Sequence, residues 1–144
     1  MLKTRLIHPD ILAALAASGH FSQVLIADGN FPVAGNRGPN ARIVHLNLAP
    51  GLLDALSVLD VVLEAVPVQA ATVMEPPADF KPPIHERYRE QLGAGVTWTQ
   101  MERWAFYEKI ASPRTTLMIA TGEQRRFANL LLEIGVVKLA TENF

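Results

Sequence analysis

The chain has no cysteine, which excludes a disulfide framework and thiolate chemistry while leaving the compartment open. It has no surplus of either charge. Thirteen lysines and arginines stand against fourteen aspartates and glutamates, a net charge of −1. Without a basic excess to neutralise a phosphate backbone, nucleic-acid binding is disfavoured. No stretch reaches the ~20 apolar residues of a membrane span; residues 58–68 come closest, and Asp60 and Glu64 interrupt them. Residues 1–5 lead towards a short amphipathic helix without a long apolar signal core, so a soluble, cytoplasmic protein is expected. Four histidines are dispersed at positions 8, 20, 45 and 85, without the close ligand spacing of a zinc site, and no metal is expected.

What the chain does have is apolar material, 49% of its 144 residues, enough for one domain spanning residues 1–144 with a real core. The first helix is well punctuated. Pro9 suits the first helical position, Asp10 the positive end of the dipole, and Gly19 a left-handed terminator, with Ile11, Leu12, Leu15 and Ala16 on one face. Residues 24–27 read as a buried strand, 28–40 as a Gly-, Pro- and Asn-rich loop, and 42–46 as a second strand. Leucines at 52, 53, 56 and 59 predict a helix over 50–63. Residues 66–74 form a third apolar strand, and paired prolines at 76–77 and 82–83 bracket a loop. An exposed, charged helix is expected over 84–92, and another over 102–111, stopped by Ser112-Pro113. Residues 115–120 read as a strand, and Thr121-Gly122-Glu123 turns away from its end. Residues 125–139 fit a short helix or a strand. Helices alternating with continuously apolar strands predict an α/β layered sheet with flanking helices.

Several residues carry chemistry as well as structure. His20, between the first helix and the first strand, fits a helix C-cap cation and equally a general acid/base, since imidazole is the side chain that ordinarily titrates nearest neutrality. His8 reads as part of the helix entrance, His45 as a packed, hydrogen-bonded strand residue, and His85 as solvated. Asp28 sits at the carboxyl end of a strand, where ligands gather in α/β sheets, and can also organise the following loop as an Asx-turn. Residues 35–38 (Gly-Asn-Arg-Gly) lie between prolines with no helix after them, so they form neither a dinucleotide fingerprint nor a P-loop. Arg103-Trp104-Ala105-Phe106-Tyr107-Glu108 places aromatics beside a guanidinium and a carboxylate. Such a set suits sugar C–H faces and hydroxyls, and equally a helix packing its aromatics inward. Asn129, after Phe127 and Ala128, offers an amide for a hydroxyl or a cap for a terminal helix.

Together these segments resemble the L-fucose mutarotase and D-ribose pyranase family. The resemblance runs from His8-Pro9-Asp10-Ile11-Leu12 through Gly19-His20, Asp28, Phe31-Pro32 and Arg103–Glu108. It ends at Thr121-Gly122-Glu123, Phe127-Ala128-Asn129 and Gly135-Val136. It implies a cofactor-independent enzyme that interconverts sugar anomers or ring forms. It further implies His20 as the acid/base, with Asp28, Arg103, Phe127 and Asn129 as substrate-binding residues. A homo-oligomer is expected, a decamer built from pentameric rings. Arg103 stands where the fucose branch usually carries arginine and the ribose branch histidine, which favours an L-fucose-type substrate. Phe127 replaces the tyrosine of the usual Tyr-x-Asn segment, so one phenolic hydroxyl is missing. A ribose-type pyranase, or a non-catalytic sugar-binding or transport-accessory protein, are the alternatives. His20 and Asp28 lie eight residues apart, ~26 Å if extended. One monosaccharide cannot touch both in one chain, so the resemblance leads to the expectation of a site shared between subunits.

Overall fold

A computed structural model describes residues 1–140. Six strands form one sheet: β1 (Gln23–Ala27), β2 (Arg42–His45), β3 (Val68–Met74), β4 (Thr97–Met101), β5 (Thr115–Ala120) and β6 (Leu130–Ile134), in the order β2-β5-β1-β6-β3-β4. β1, β2 and β5 run parallel, as do β3 and β4; β6 lies antiparallel between β1 and β3. The helices are α1 (Pro9–Ala17), α2 (Ala55–Ala65), α3 (Pro83–Leu92) and α4 (Arg103–Ile110). The α/β layered fold expected from the sequence is therefore present.

The period-two alternation of β1 explains the layers. Val24 and Ile26 enter one core with Leu117, Ile119, Leu130 and Leu132 and with residues of α1, α2 and α3. Leu25 and Ala27 enter the opposite one with Met118, Leu131 and Phe106 and Ile110 of α4. All five residues of β1 are buried, so the strand reads as a continuous apolar run because both of its faces are covered.

Four local expectations change. α1 ends at Ala17 with Ser18 as its cap in extended conformation; the left-handed residue in this turn is Phe21, φ 69°, and not Gly19. α2 begins at Ala55 because Asp54 caps it, accepting from the Ser57 N–H; Leu52 and Leu53 precede the helix and are exposed. His45 is exposed at the end of a strand that buries only Val44 fully. His85 is buried, because Ile84, His85 and Tyr88 form the inward face of α3. The segment after residue 125 resolves as strand β6.

Candidate active site

Strand direction gathers the site. β1, β3 and β4 all point their carboxyl ends to one edge of the sheet, delivering Asp28 after β1, Met74 at the end of β3 and Arg103 just after β4. Antiparallel β6 starts at that same edge, so Asn129 arrives beside Asp28 although 101 positions separate them. The four residues expected to bind substrate, Asp28, Arg103, Phe127 and Asn129, line one cavity of about 310 Å³, within the range of small-ligand pockets. Phe31, Met74, Tyr107, Asn30 and Arg126 complete it.

Asp28 and Asn129 form a reciprocal pair. The Asp28 N–H donates to Asn129 Oδ1 (2.8 Å), and Asn129 Nδ2 donates to Asp28 Oδ2 (3.1 Å). The Asn30 N–H donates to Asp28 Oδ1 at 2.9 Å, an Asx-turn that shapes the loop. The pairing fixes the amide orientation and leaves the second Nδ2 hydrogen of Asn129 available to a hydroxyl. Burial raises the Asp28 carboxyl above its ordinary value. The N–H groups of Asn30, Phe31 and Ala128 oppose the rise, and the charge of Glu123 adds to it. Asn129 caps no helix; its amide is committed to Asp28.

Phe127 holds a left-handed backbone, φ 61°, which costs a non-glycine residue about 1 kcal/mol or more. Two side chains of α3 offset that cost. His85 Nε2 donates to the Phe127 carbonyl at 2.7 Å, and the buried Tyr88 hydroxyl donates to the Ala128 carbonyl at 2.6 Å. Burial lowers the His85 pKa, against the opposing pull of the Phe127 carbonyl. Burial, aided by the charge of Glu123, pushes the Tyr88 phenol far above its ordinary range, so it remains a donor. The Phe127 ring packs at 5.8 Å from Phe80, over which the Arg126 guanidinium sits at 4.5 Å.

A second anchor lies behind the site. Glu123, 3% exposed, accepts from Arg125 Nε (2.7 Å), Arg125 Nη2 (2.6 Å) and the N–H groups of Arg125 and Ala55. Burial acts to raise the Glu123 carboxyl, but these hydrogen bonds prevail and hold it below its ordinary value. Arg125 also reaches Asp54, the cap of α2, at 3.2 Å. A larger cavity of about 470 Å³ adjoins the site through Asn30. The one carboxylate in its lining, Glu123, is already engaged by these bonds. Among the described residues no group of three His, Cys, Asp or Glu is placed to hold a metal.

His20 is not part of this cavity. It lies exposed at the opposite end of β1, in a turn pinned to the end of β6 by the Phe21 N–H donating to the Ile134 carbonyl (3.0 Å). Its ring stacks on Phe21, with centroids 3.7 Å apart, and its Nε2 lies 2.9 Å from Gln69 Oε1. The structure thus brings four of the five candidate residues together and leaves His20 apart.

The sequence reading left His85, Tyr88, Arg126 and Met74 out of the site. The only signal for the first two was the apolar spacing of positions 84 and 88, masked by the charges at 86, 87, 89 and 90.

The chain is 33% identical to a D-ribose pyranase of Pseudomonas syringae pv. tomato, covering 95% of this chain and 99% of that protein. It is 30% identical to the fucose mutarotase of Mus musculus, over 94% and 93% of the two. The crystal structure of the fucose mutarotase from Streptococcus pneumoniae in complex with L-fucose superposes with a TM-score of 0.80 at 27% identity, covering 95% of this chain and 100% of that one. With the RbsD / FucU transport protein family model matching residues 1–137, the chain belongs to that family.

Proposed function

We propose that the protein is a cofactor-independent monosaccharide mutarotase, an isomerase interconverting the anomers of L-fucose or a related sugar. The observation that carries this reading is the convergence of Asp28, Arg103, Phe127 and Asn129 on one cavity in a chain of this family. Relatives named D-ribose pyranase and fucose mutarotase match it at 33% and 30% identity, so identity does not choose between the sugars. Arg103 supports the fucose-type substrate.

The reaction needs one proton removed and one delivered. A base takes the anomeric hydroxyl proton, the C1 carbonyl forms, and the bond from C1 to the ring oxygen breaks as that oxygen gains a proton. Rotation about C1–C2 and closure on the other carbonyl face reverse both transfers, with no net proton demand. A positioned imidazole typically contributes roughly 10²- to 10⁴-fold to such a step, and His20 takes this role. Asp28 and the free hydrogen of Asn129 bind hydroxyls, Arg103 donates to oxygen acceptors, and the Phe127 ring covers a C–H face.

His20 and the cavity lie at opposite ends of β1, so we infer that His20 of one subunit completes the cavity of its neighbour in a ring-forming oligomer, a decamer of pentameric rings. Exposed apolar side chains, among them Leu48 (84%), Val137 (73%) and Trp104 (70%), suit burial between subunits. The same reading places the enzyme in the cytoplasm; no helix among the described residues is long and apolar enough to cross a membrane.

Saturation-transfer NMR with L-fucose, D-ribose, D-galactose and L-rhamnose tests the proposal. Anomer exchange by the wild type, abolished in His20→Ala, supports it. Sugar binding without exchange would support the transport-accessory reading instead, and exchange by His20→Ala at the wild-type rate would remove His20 from the mechanism.

A further inference from the structure

His20 is exposed, and an exposed imidazole ordinarily samples both neutral tautomers and several ring orientations. Here its surroundings restrict both. Gln69, at the start of β3, has its Oε1 2.9 Å from His20 Nε2, and its Nε2 donates to Glu133 Oε1 of β6 at 2.6 Å. The two contacts are linked by donor chemistry. A carboxylate offers only acceptors, so the Gln69 amide must turn its NH₂ towards Glu133 and its carbonyl towards His20. A carbonyl oxygen only accepts, so His20 Nε2 must carry the hydrogen. The lone pair of the neutral ring is then on Nδ1. Phe21, stacked at 20° to the imidazole, holds the ring plane, and the left-handed turn that presents Phe21 is tied to β6 by its own N–H.

We propose that Glu133 and Gln69 are positioning residues that hold His20 in the Nε2–H tautomer, making Nδ1 the nitrogen that exchanges a proton with the sugar. The proposal rests on the reading of His20 as the acid/base group and adds which ring nitrogen acts and what selects it. Gln69 is well suited to the task because its amide can report the polarity of Glu133 to the imidazole without placing a full charge against it. The Arg114 guanidinium lies 5.8 Å from the centroid of the Phe21 ring. Glu133 is the carboxylate in the chain of contacts. Neither Gln69 nor Glu133 lines the cavity that holds Asp28 in its own subunit, and the role proposed for both is exerted through His20.

The test uses the full-length protein with ¹⁵N-labelled histidine rings, His20 being assigned by the signal lost in His20→Ala. Long-range ¹H–¹⁵N spectra of the wild type should show the Nε2–H form. Gln69→Leu removes the acceptor and should leave mixed tautomers, with kcat for the fastest-exchanging of the four sugars lowered roughly 10-fold or more and KM little changed. Glu133→Leu frees the amide to flip, so both tautomers should appear with an intermediate loss of kcat. Exchanging the pair, Gln69→Glu with Glu133→Gln, puts an acceptor back beside Nε2 and a donor behind it, and should restore the Nε2–H tautomer, with kcat regained only in part because a full charge now faces the imidazole. A merely structural role for Gln69 would not give that rescue. An Nδ1–H form in the wild type, an unchanged tautomer in Gln69→Leu, or a swap that leaves the tautomer mixed would overturn the proposal. Full exchange by His20→Ala would instead overturn the acid/base reading, with the spectra still deciding the tautomer.

Discussion

Replacing Tyr88 by phenylalanine tests whether α3 holds the substrate loop. The hydroxyl lost is fully buried and donates to the Ala128 carbonyl at 2.6 Å, and Ala128 is itself fully buried. The change removes the donor and leaves the acceptor orphaned away from water. An unsatisfied buried group costs about 1–3 kcal/mol, which for a chain of this size is a fall in Tm of roughly 2–10 °C. The functional consequence follows from position. Asn129 is the next residue, and Phe127 the one before, so a loosened carbonyl at 128 frees two residues that line the cavity proposed to take the sugar. Calorimetry should show the loss of Tm, and titration with the preferred sugar should show affinity weakened several-fold. Val58→Ala in α2, buried far from this loop in sequence and absent from the cavity lining, is the control: it should lower Tm comparably and leave affinity unchanged. Equal affinity in Tyr88→Phe and wild type, at reduced Tm, would refute the claim that this bond sets the site. An unchanged Tm would refute the energetic argument itself.

His85 gives a pH signature. Its folded pKa lies below the ordinary 6.5, so the folded state disfavours the proton; stability is fully present above the unfolded value and is lost as pH falls through 6.5 towards the folded pKa. His85→Gln, which keeps a donor for the Phe127 carbonyl, should flatten that acid limb in urea titrations between pH 7 and 5; an identical limb in both proteins would exclude His85 as its source. Phe127→Tyr adds the hydroxyl usual in the family to a ring lining the cavity and should re-rank the four sugars by about 1 kcal/mol, roughly fivefold in Kd. An unchanged ranking would mean the ring edge does not face the sugar. Mixing inactive His20→Ala with inactive Asp28→Asn, under conditions where subunits exchange, should recover part of the activity by pairing an intact His20 with a neighbour's intact cavity. No recovery on demonstrated exchange would put both groups to work in one subunit.

What the sequence made legible was what its local chemistry determines. Residues 115–120, bounded by Pro113 and Gly122, are the strand β5 to the residue, because an apolar, Thr-rich run between breakers has few alternatives. β4 was not legible: Thr97-Trp98-Thr99-Gln100-Met101 is a polar edge strand that pairs with β3 alone and exposes three of its five residues. The early start expected for α2 came from Leu52 and Leu53, which fit the helical period; Asp54 decides the boundary because a carboxylate that caps Ser57 ends the search for a start. The same division holds at the site. Asp28 was visible as a carboxylate closing an apolar strand. That Asn129 meets it depends on β6 running against β1, and the triple leucine at 130–132 carries no strand direction and fits a helix as well.

The antiparallel course of β6 also supplies the geometry behind the proposal that the site is shared between subunits. Asn129 immediately precedes the strand at the cavity edge, and Glu133 lies near its far end, where it engages Gln69 and through it His20. Four residues at ~3.4 Å each put these two positions roughly 14 Å apart along one strand, and the side chains they serve lie further apart still, Asp28 beyond one end of β1 and His20 beyond the other. A fully buried, rigidly paired strand cannot shorten to bring them onto one sugar. On that proposal the strand fixes two half-sites, each with its own support: α3 behind the Asp28–Asn129 cavity, Glu133 and Gln69 behind the imidazole. On the proposal that the site is shared between subunits, each half is prearranged before assembly, which lowers the ordering cost of forming the complete site and predicts that the rate of anomer exchange follows the oligomer rather than the isolated subunit.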